Sequence, residues 1–213
     1  MLYLLPYPLF RSWSIYLIPI EGVILGPYAG FFSALIGSVL ARAVKPDIFW
    51  MFGIVAEPLS ALAAGFLVRR QWKPVMAIYA FMLGAYFVLP FGLSIPLWTI
   101  LDILVILFLI YPAARFSADL FGEDSKRLSL SLVLVAFVTT VVDSLARVVL
   151  LVPGGLYTLY GLSRPIDVIN FVFIPNAVFS YVEDGLVVIV TLVVGVPMLL
   201  ALRKSLQLKE PLS

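Results

Sequence analysis

LSLSLVLVAFVTTVVDSLARVVLLV, residues 128–152, is the stretch of sequence that decides the fold class. It contains only two charged side chains, Asp143 and Arg147, and neither glycine nor proline. About 20 apolar residues in a helix are enough to cross the roughly 30 Å hydrocarbon core of a bilayer. The stretch therefore predicts one transmembrane helix.

Further apolar runs of similar length lie on both sides of this one. They are at 18–41, 48–68, 75–93 and 95–111 before it, and at 178–202 after it. Pro175 is expected to separate the last span from an outer approach segment, because proline interrupts a helix. These runs predict an all-α, polytopic membrane protein, a compact bundle of six transmembrane helices in a single domain over residues 1–213. Residues 1–10 are interpreted as an interfacial lead-in.

The composition supports a chain that is solvated by lipid. Hydrophobic residues make up 63% of the sequence and charged residues 12%, whereas soluble domains carry about 25% charged residues. The lipid bilayer is therefore an expected partner. With no cysteine and no histidine, no disulfide and no ordinary zinc site is expected, nor any other metal or cofactor. A net charge of +2 gives no reason to expect nucleic acid as a partner.

The basic residues are distributed unevenly between the two ends of the predicted spans. Ten lie at one end: Arg11, Arg69, Arg70, Lys73, Arg115, Lys126, Arg127, Arg203, Lys204 and Lys209. Three lie at the other: Arg42, Lys45 and Arg164. Cytoplasmic loops are enriched in lysine and arginine. The distribution predicts a multi-pass protein of the cell membrane with both termini in the cytoplasm.

Small residues recur every fourth position in the first predicted span. One row consists of Gly26, Gly30, Ala34 and Ser38, and a second of Ser33, Gly37 and Ala41. Such rows let another helix approach closely in lipid. They either pack the protein's own bundle or dock a separate membrane subunit, and the sequence leaves both interpretations open.

Ionisable residues inside the predicted spans concentrate in the outer half of the membrane. They are Glu57, Asp102, Asp143, Arg147, Glu183 and Asp184. Buried ionisable groups in membranes usually face a wet cavity or the bundle interior. We therefore expect a solute pocket that opens to the outside, with walls from Trp50, Tyr86, Trp98, Tyr157, Tyr160, Asn170, Asn176 and Tyr181. Because carboxyl groups outnumber arginine here, an amine-bearing or cationic solute is favoured.

A structural role for the same residues is the alternative. Asp143 and Arg147 are spaced i, i+4 and can neutralise each other. Glu57 precedes Pro58, and a proline kink could hold it. The aromatic residues could form an interfacial belt.

The chain resembles a known family of membrane proteins at several points. The first span carries IPIEGVILGPYAG, residues 18–30, followed by Gly37, and the second ends in AGFLVRR, residues 64–70. The last span has Pro175 upstream, then GVPM at 195–198, and ends at Arg203 and Lys204. With six spans and cytoplasmic termini, this pattern is similar to the substrate-binding S components of energy-coupling factor (ECF) transporters.

The resemblance implies a function and a set of partners. Such S components capture vitamins or similar micronutrients from the outside and associate with a transmembrane coupling subunit and two cytoplasmic ATPases. Docking to the coupling subunit uses small residues on membrane helices. By position, these would be Gly26, Gly30, Ala34, Gly37 and Ala41. The chain has no GxxxxGK[ST] motif, so ATP hydrolysis would come from a partner.

Two other function classes remain as alternatives. A membrane scaffold of the cell-shape type would need docking faces but no solute pocket. An intramembrane enzyme would have to use carboxyl groups, because the sequence contains neither a GxSxG nor an HExxH motif. We expect no enzyme activity.

Overall fold

The computed structural model describes residues 13–45, 50–89, 95–121, 125–206 and 211–212. Regular secondary structure in this part of the chain is helical throughout, without a strand. Within the described residues, five helical stretches are long and apolar enough to cross a membrane: Pro27–Val44, Trp50–Val68, Leu97–Phe116, Arg127–Leu151 and Pro165–Ser205. They support a multi-pass membrane protein.

Six α-helices make up the described chain up to residue 151. They are α1 (Ile18–Leu25), α2 (Pro27–Val44), α3 (Trp50–Val68), α4 (Trp72–Phe87), α5 (Leu101–Phe116) and α6 (Ser125–Leu151). A 3₁₀ turn, Leu97–Ile100, leads into α5, and another, Ser117–Phe121, follows it. The segment between the predicted spans 95–111 and 128–152 is therefore largely helical in its described residues.

The predicted span 18–41 is wrong as a single helix. The chain breaks at Gly26, whose φ of 82° lies in the region that favours glycine, and Pro27 then starts α2. The break is sharp, since a β-carbon on Gly30 would lie 3.2 Å from the Cα of Gly22. Helix α1 therefore folds back against α2 and, at 8 residues or about 12 Å, is too short to cross a bilayer.

Helices α3 and α6 form the centre of the bundle. In the apolar part of each of these two helices, 72% of the residues are buried inside the protein, whereas in α2 only 22% are. Hydroxyl groups inside this centre are satisfied locally, as lipid-embedded polar groups must be. The Ser60 hydroxyl donates to the carbonyl of Thr139, 2.8 Å away, and so joins α3 to α6. Thr139 itself donates to the carbonyl of Val135 at 2.8 Å.

The chain ends in one long helical run over residues 165–206. It comprises α7 (Pro165–Val168), α8 (Ile174–Val190) and α9 (Val196–Leu206), joined by π-helical turns at Ile169–Phe173 and Thr191–Gly195. The expected separation at Pro175 is not seen. The π turn directly before Pro175 widens the helix where the proline lacks a backbone N–H, so the run continues through it.

The other predicted spans fall on helices with shifted ends. The span predicted at 75–93 corresponds to α4, which has 16 residues, and residues 90–94 lie outside the described part. The interpretation of residues 1–10 as an interfacial lead-in also lies outside the described residues. The remaining spans match α3, the helical stretch Leu97–Phe116 and α6 within a few residues.

Candidate functional site

A buried ionic cluster lies where α2 ends and α3 begins. Glu57, on α3, is fully buried. Its Oε1 lies 2.6 Å from Nη2 of Arg42, and its Oε2 accepts a hydrogen bond of 2.5 Å from the Ser38 hydroxyl. Ser38 and Arg42 are one helical turn apart on α2. The carboxylate is thus held from one side by α2 rather than by a kink at Pro58.

The second ion pair of the cluster comes from α6. Arg147 donates to Asp143 through Nε at 2.7 Å and through Nη2 at 3.2 Å. This i, i+4 pair is the one that the structural interpretation of the sequence anticipated. Arg147 Nη2 also lies 3.7 Å from Glu57 Oε1. Two arginines and two carboxylates therefore balance in the interior, which offsets much of the cost of burying them.

Gly53 makes room for this cluster. A β-carbon at Gly53 would lie 1.6 Å from Nη2 of Arg42 and 2.7 Å from Oε1 of Glu57. The guanidinium therefore lies directly against the backbone of α3, a position open only because no side chain stands there.

An elongated cavity of about 490 Å³ lies next to the cluster. It is enclosed by α3, by the start of α5, by the last turns of α6 and by the helical run around α8. Its walls are mostly apolar, as is usual for small-molecule sites. Its polar lining residues are Thr99, Asp102, Ser144, Arg147, Asn176, Ser180 and Glu183. We call this cavity the carboxyl pocket.

The charged lining of the carboxyl pocket is mainly acidic. Asp102, at the start of α5, is 8% exposed and Glu183, on α8, is 3% exposed. Arg147 is the one basic residue among the described lining residues, and Asp143 already matches its charge. Asp102 and Glu183 bring carboxyl groups to the lining, and carboxyl oxygens accept hydrogen bonds from N–H and O–H donors.

Hydrogen bonds fix the helices around the pocket. The Tyr181 hydroxyl, on α8, donates to the carbonyl of Trp98 and accepts from the backbone N–H of Leu101 at 3.3 Å. It thereby holds the start of α5 against α8. The side-chain amide of Asn176 donates to the carbonyl of Val172 at 2.8 Å, so its carbonyl oxygen stays available to the pocket.

Of the ionisable and polar residues predicted to form a solute pocket, the structure brings at least six together. Asp102, Arg147, Asn176 and Glu183 line the carboxyl pocket, and Glu57 and Asp143 lie directly behind it in the ionic cluster. Three of the predicted aromatic wall residues, Trp50, Trp98 and Tyr86, are not among its lining residues.

Those three aromatic residues occupy different environments. Trp50 and Trp98 are 45% and 46% exposed, which suits an interfacial belt. Tyr86 is buried in the apolar core. Of the other suggested wall residues, Tyr157 and Asn170 do not line the pocket either, and the side chain of Tyr160 lies outside the described part.

The predicted docking residues separate into two groups. Gly26, Gly30 and Ala34 are buried within the chain's own bundle. Gly37 and Ala41 lie on a neighbouring stripe of α2 and are exposed. In this structure the first row packs the protein itself, and only the second row is available to a partner.

Sequence reasoning missed Arg42 and Ser38 as parts of the site. Arg42 was assigned to an outer loop, yet its side chain is 9% exposed. The missed signal is periodicity: Gly30, Ala34, Ser38 and Arg42 form one row at four-residue spacing, and all are buried. The arginine simply ends the small-residue row.

Comparison with known proteins leaves the family open. No protein-family model and no solved structure matches the chain. An uncharacterized protein of Methanocaldococcus jannaschii is 23% identical over 126 residues, which is 58% of this chain and 42% of that protein. The match spans less than half of that relative's length and carries no functional information.

Proposed function

We propose that the chain is a membrane solute-capture subunit for the uptake of a vitamin or similar micronutrient, of the ECF S-component type. In this proposal the bundle has six spans, both termini are cytoplasmic and the carboxyl pocket opens to the outside. A transmembrane coupling subunit and cytoplasmic ATPases supply the energy. The exposed row with Gly37 and Ala41 is the part of α2 that faces the coupling subunit.

The observation that carries this proposal is the carboxyl pocket itself. A volume of about 490 Å³ lies within the range of small-molecule sites, which is roughly 300–1,000 Å³. Its apolar walls with a few convergent polar groups are typical of a binding site. A scaffold protein has no need for a cavity with carboxyl groups at this depth, where ionisable residues are costly.

The solute class follows from the charges of the lining. The ionic cluster neutralises Arg147, and the pocket then presents Asp102 and Glu183. A solute with an amine or several N–H donors can donate hydrogen bonds to these two acidic side chains, and its apolar part can contact Phe52 and Phe171 on the walls. An anionic solute would face two acidic groups with no free cation among the described lining residues.

The test is to identify the bound solute and to vary the carboxyl groups that would hold it. Mass spectrometry of small molecules that co-purify with the detergent-solubilised protein identifies the solute. Isothermal titration with that solute then compares the native protein with Glu183→Gln and Asp102→Asn. We expect each substitution to weaken binding about tenfold or more, because a hydrogen bond to a charged group contributes roughly 1.5–3 kcal/mol.

Glu21→Gln is the matched control, because Glu21 lies on α1 and is not among the lining residues of the pocket. Its affinity should equal that of the native protein. Retention of no solute, or equal affinity in all three variants, would contradict the capture function and leave the scaffold as the better interpretation.

A further inference from the structure

A second cavity lies at the opposite end of the bundle, where α3 ends, α4 begins and α5 ends. Its volume is also about 490 Å³. The residues that line it are Arg70, Trp72, Tyr111, Ala114, Arg115, Phe116 and Ala118. We call it the arginine pocket. None of its described lining residues is acidic, and the side chains of Arg70 and Arg115 are both exposed.

The backbone at Arg70 is unusual for a residue with a side chain. Its φ of 59° is the one positive value among the described non-glycine residues. The N–H of Arg70 donates to the carbonyl of Leu67, and the N–H of Gln71 donates to that of Phe66, both at 2.8 Å. This is the Schellman ending of a helix, in which glycine usually takes the left-handed position. An arginine there adopts a strained backbone conformation, and its side chain lines the cavity.

Serine hydroxyl groups hold the base of the arginine pocket together. Ser117 donates to the carbonyl of Leu67 at 2.6 Å and to that of Ala114 at 2.7 Å. The last turns of α3 and α5 are thereby joined. Ser131, on α6, donates to the carbonyl of Phe116 at 2.6 Å. The backbone that carries both arginines is therefore fixed in place before any ligand arrives.

The aromatic wall of this cavity is of the kind found at membrane interfaces. The rings of Trp72 and Tyr111 meet edge to face with centroids 5.7 Å apart. Tryptophan and tyrosine concentrate at the boundary between hydrocarbon and headgroups. Tyr111 and Phe116 are themselves 50% and 43% exposed, so the apolar rim of the cavity continues into the lipid-facing surface.

We propose that the arginine pocket binds a phosphate group, with Arg70 and Arg115 as its two cationic ligands. The planar guanidinium matches two phosphate oxygens at once, and two arginines match the charge of one phosphate. The phosphate can belong to the headgroup of an anionic phospholipid or to a soluble phosphate compound. The aromatic, partly lipid-facing rim favours the phospholipid.

The experiment uses the full chain, delipidated in an uncharged detergent. Thermal unfolding is followed during titration with short-chain phosphatidylglycerol, with phosphatidylcholine and with inorganic phosphate. We expect phosphatidylglycerol to raise the unfolding temperature in a saturable manner and phosphatidylcholine to do so far less. Arg70→Gln and Arg115→Gln should each weaken the apparent affinity about tenfold.

Arg69→Gln is the matched control, since Arg69 is an exposed neighbour that does not line the cavity. Its affinity should remain that of the native protein. Arg115→Lys keeps the positive charge without the planar guanidinium. Its affinity should therefore lie between that of the native protein and that of Arg115→Gln. If Arg70→Gln fails to fold, Arg115→Gln and Arg70→Gly test the same prediction.

The ligand series separates the two sources of phosphate. Stabilisation by phosphatidylglycerol alone assigns the site to a lipid headgroup, and equal stabilisation by inorganic phosphate assigns it to a soluble phosphate compound. Stabilisation by neither ligand, or an equal loss in the Arg69 and Arg70 variants, overturns the proposal, because the effect is then absent or only a general attraction to positive charge.

Discussion

The carboxyl pocket and the arginine pocket have about the same volume and lie at opposite ends of α3 and α5. They differ in whether the arginines beside them are buried and paired with carboxylates or exposed. Beside the carboxyl pocket, Arg42 and Arg147 are matched by Glu57 and Asp143 in the interior. At the arginine pocket, Arg70 and Arg115 are exposed. Matched buried charges hold a structure together, whereas the two exposed arginines line a cavity with no acidic side chain among its described lining residues and are placed to contact a ligand. The two ends should therefore respond to mutation in opposite ways.

The largest effect is expected where a buried charge loses its partner. Arg42→Met leaves the carboxylate of Glu57 without its closest cation, which lies 2.6 Å away. We expect the free energy of unfolding to fall by about 3–5 kcal/mol, the usual cost of breaking a buried ion pair. Unfolding in mixed micelles with increasing denaturing detergent measures the change.

The double variant Arg42→Met with Glu57→Gln is the control for this loss. It removes both charges and should recover much of the stability. Exposed ion pairs typically contribute less than about 1 kcal/mol. A loss that small in the single variant would show that water reaches the cluster, and the two ends of the bundle would then not differ in how their charges are stabilised.

A smaller effect is expected from a single methyl group beside the same cluster. Gly53→Ala would place a β-carbon 1.6 Å from Nη2 of Arg42, so the guanidinium has to move away from Glu57. We expect a loss of about 1–3 kcal/mol, as for other overpacked interiors. The thermal unfolding temperature measures it.

Gly84→Ala is the matched control, because a β-carbon at that helical position meets nothing within 4 Å. Alanine there should be neutral or stabilising by about 0.5–1 kcal/mol. If both variants lose the same stability, the close approach of Arg42 to the backbone of α3 does not explain the loss in Gly53→Ala.

The smallest effect is expected at the exposed end, and it should have the opposite sign. Arg70→Gly relieves the backbone at φ 59° and should raise the free energy of unfolding by about 1 kcal/mol. The same substitution should weaken phosphate binding. Arg69→Gly, one residue earlier and without a positive φ, should bring no gain. A destabilised Arg70→Gly variant would show that the arginine supports the fold.

The apolar content of the sequence was enough to place most helices. The run 128–152 corresponds to α6, Ser125–Leu151, and 48–68 corresponds to α3, Trp50–Val68. Both are long and predominantly apolar, so hydropathy determines where they lie. Their ends differ from the predicted ones by up to three residues, because capping and fraying depend on local contacts.

The errors arose where two signals overlapped in the sequence. Gly26 was assigned to a row of small residues, although glycine followed by proline also predicts a chain break. Arg42 was assigned to a loop because basic residues at the end of a span usually lie there. Its pairing with Glu57 depends on how α2 and α3 pack, which no pattern within one helix can show. The pocket-lining carboxyls were found because charge inside an apolar span is itself a signal.

The π-helical turn at Ile169–Phe173 determines how α8 is rotated about the helix axis relative to α7. Such a turn accommodates one residue more than ordinary α-helical winding, and one residue corresponds to about 100° around the axis. Asn176 and Glu183 are seven residues apart on α8 and share one face, and the extra residue sets the direction of that face relative to α7. Deleting Asn170, which does not line the cavity, would return the segment to regular winding and rotate both side chains by about 100° relative to α7, with no change of any residue that contacts a solute.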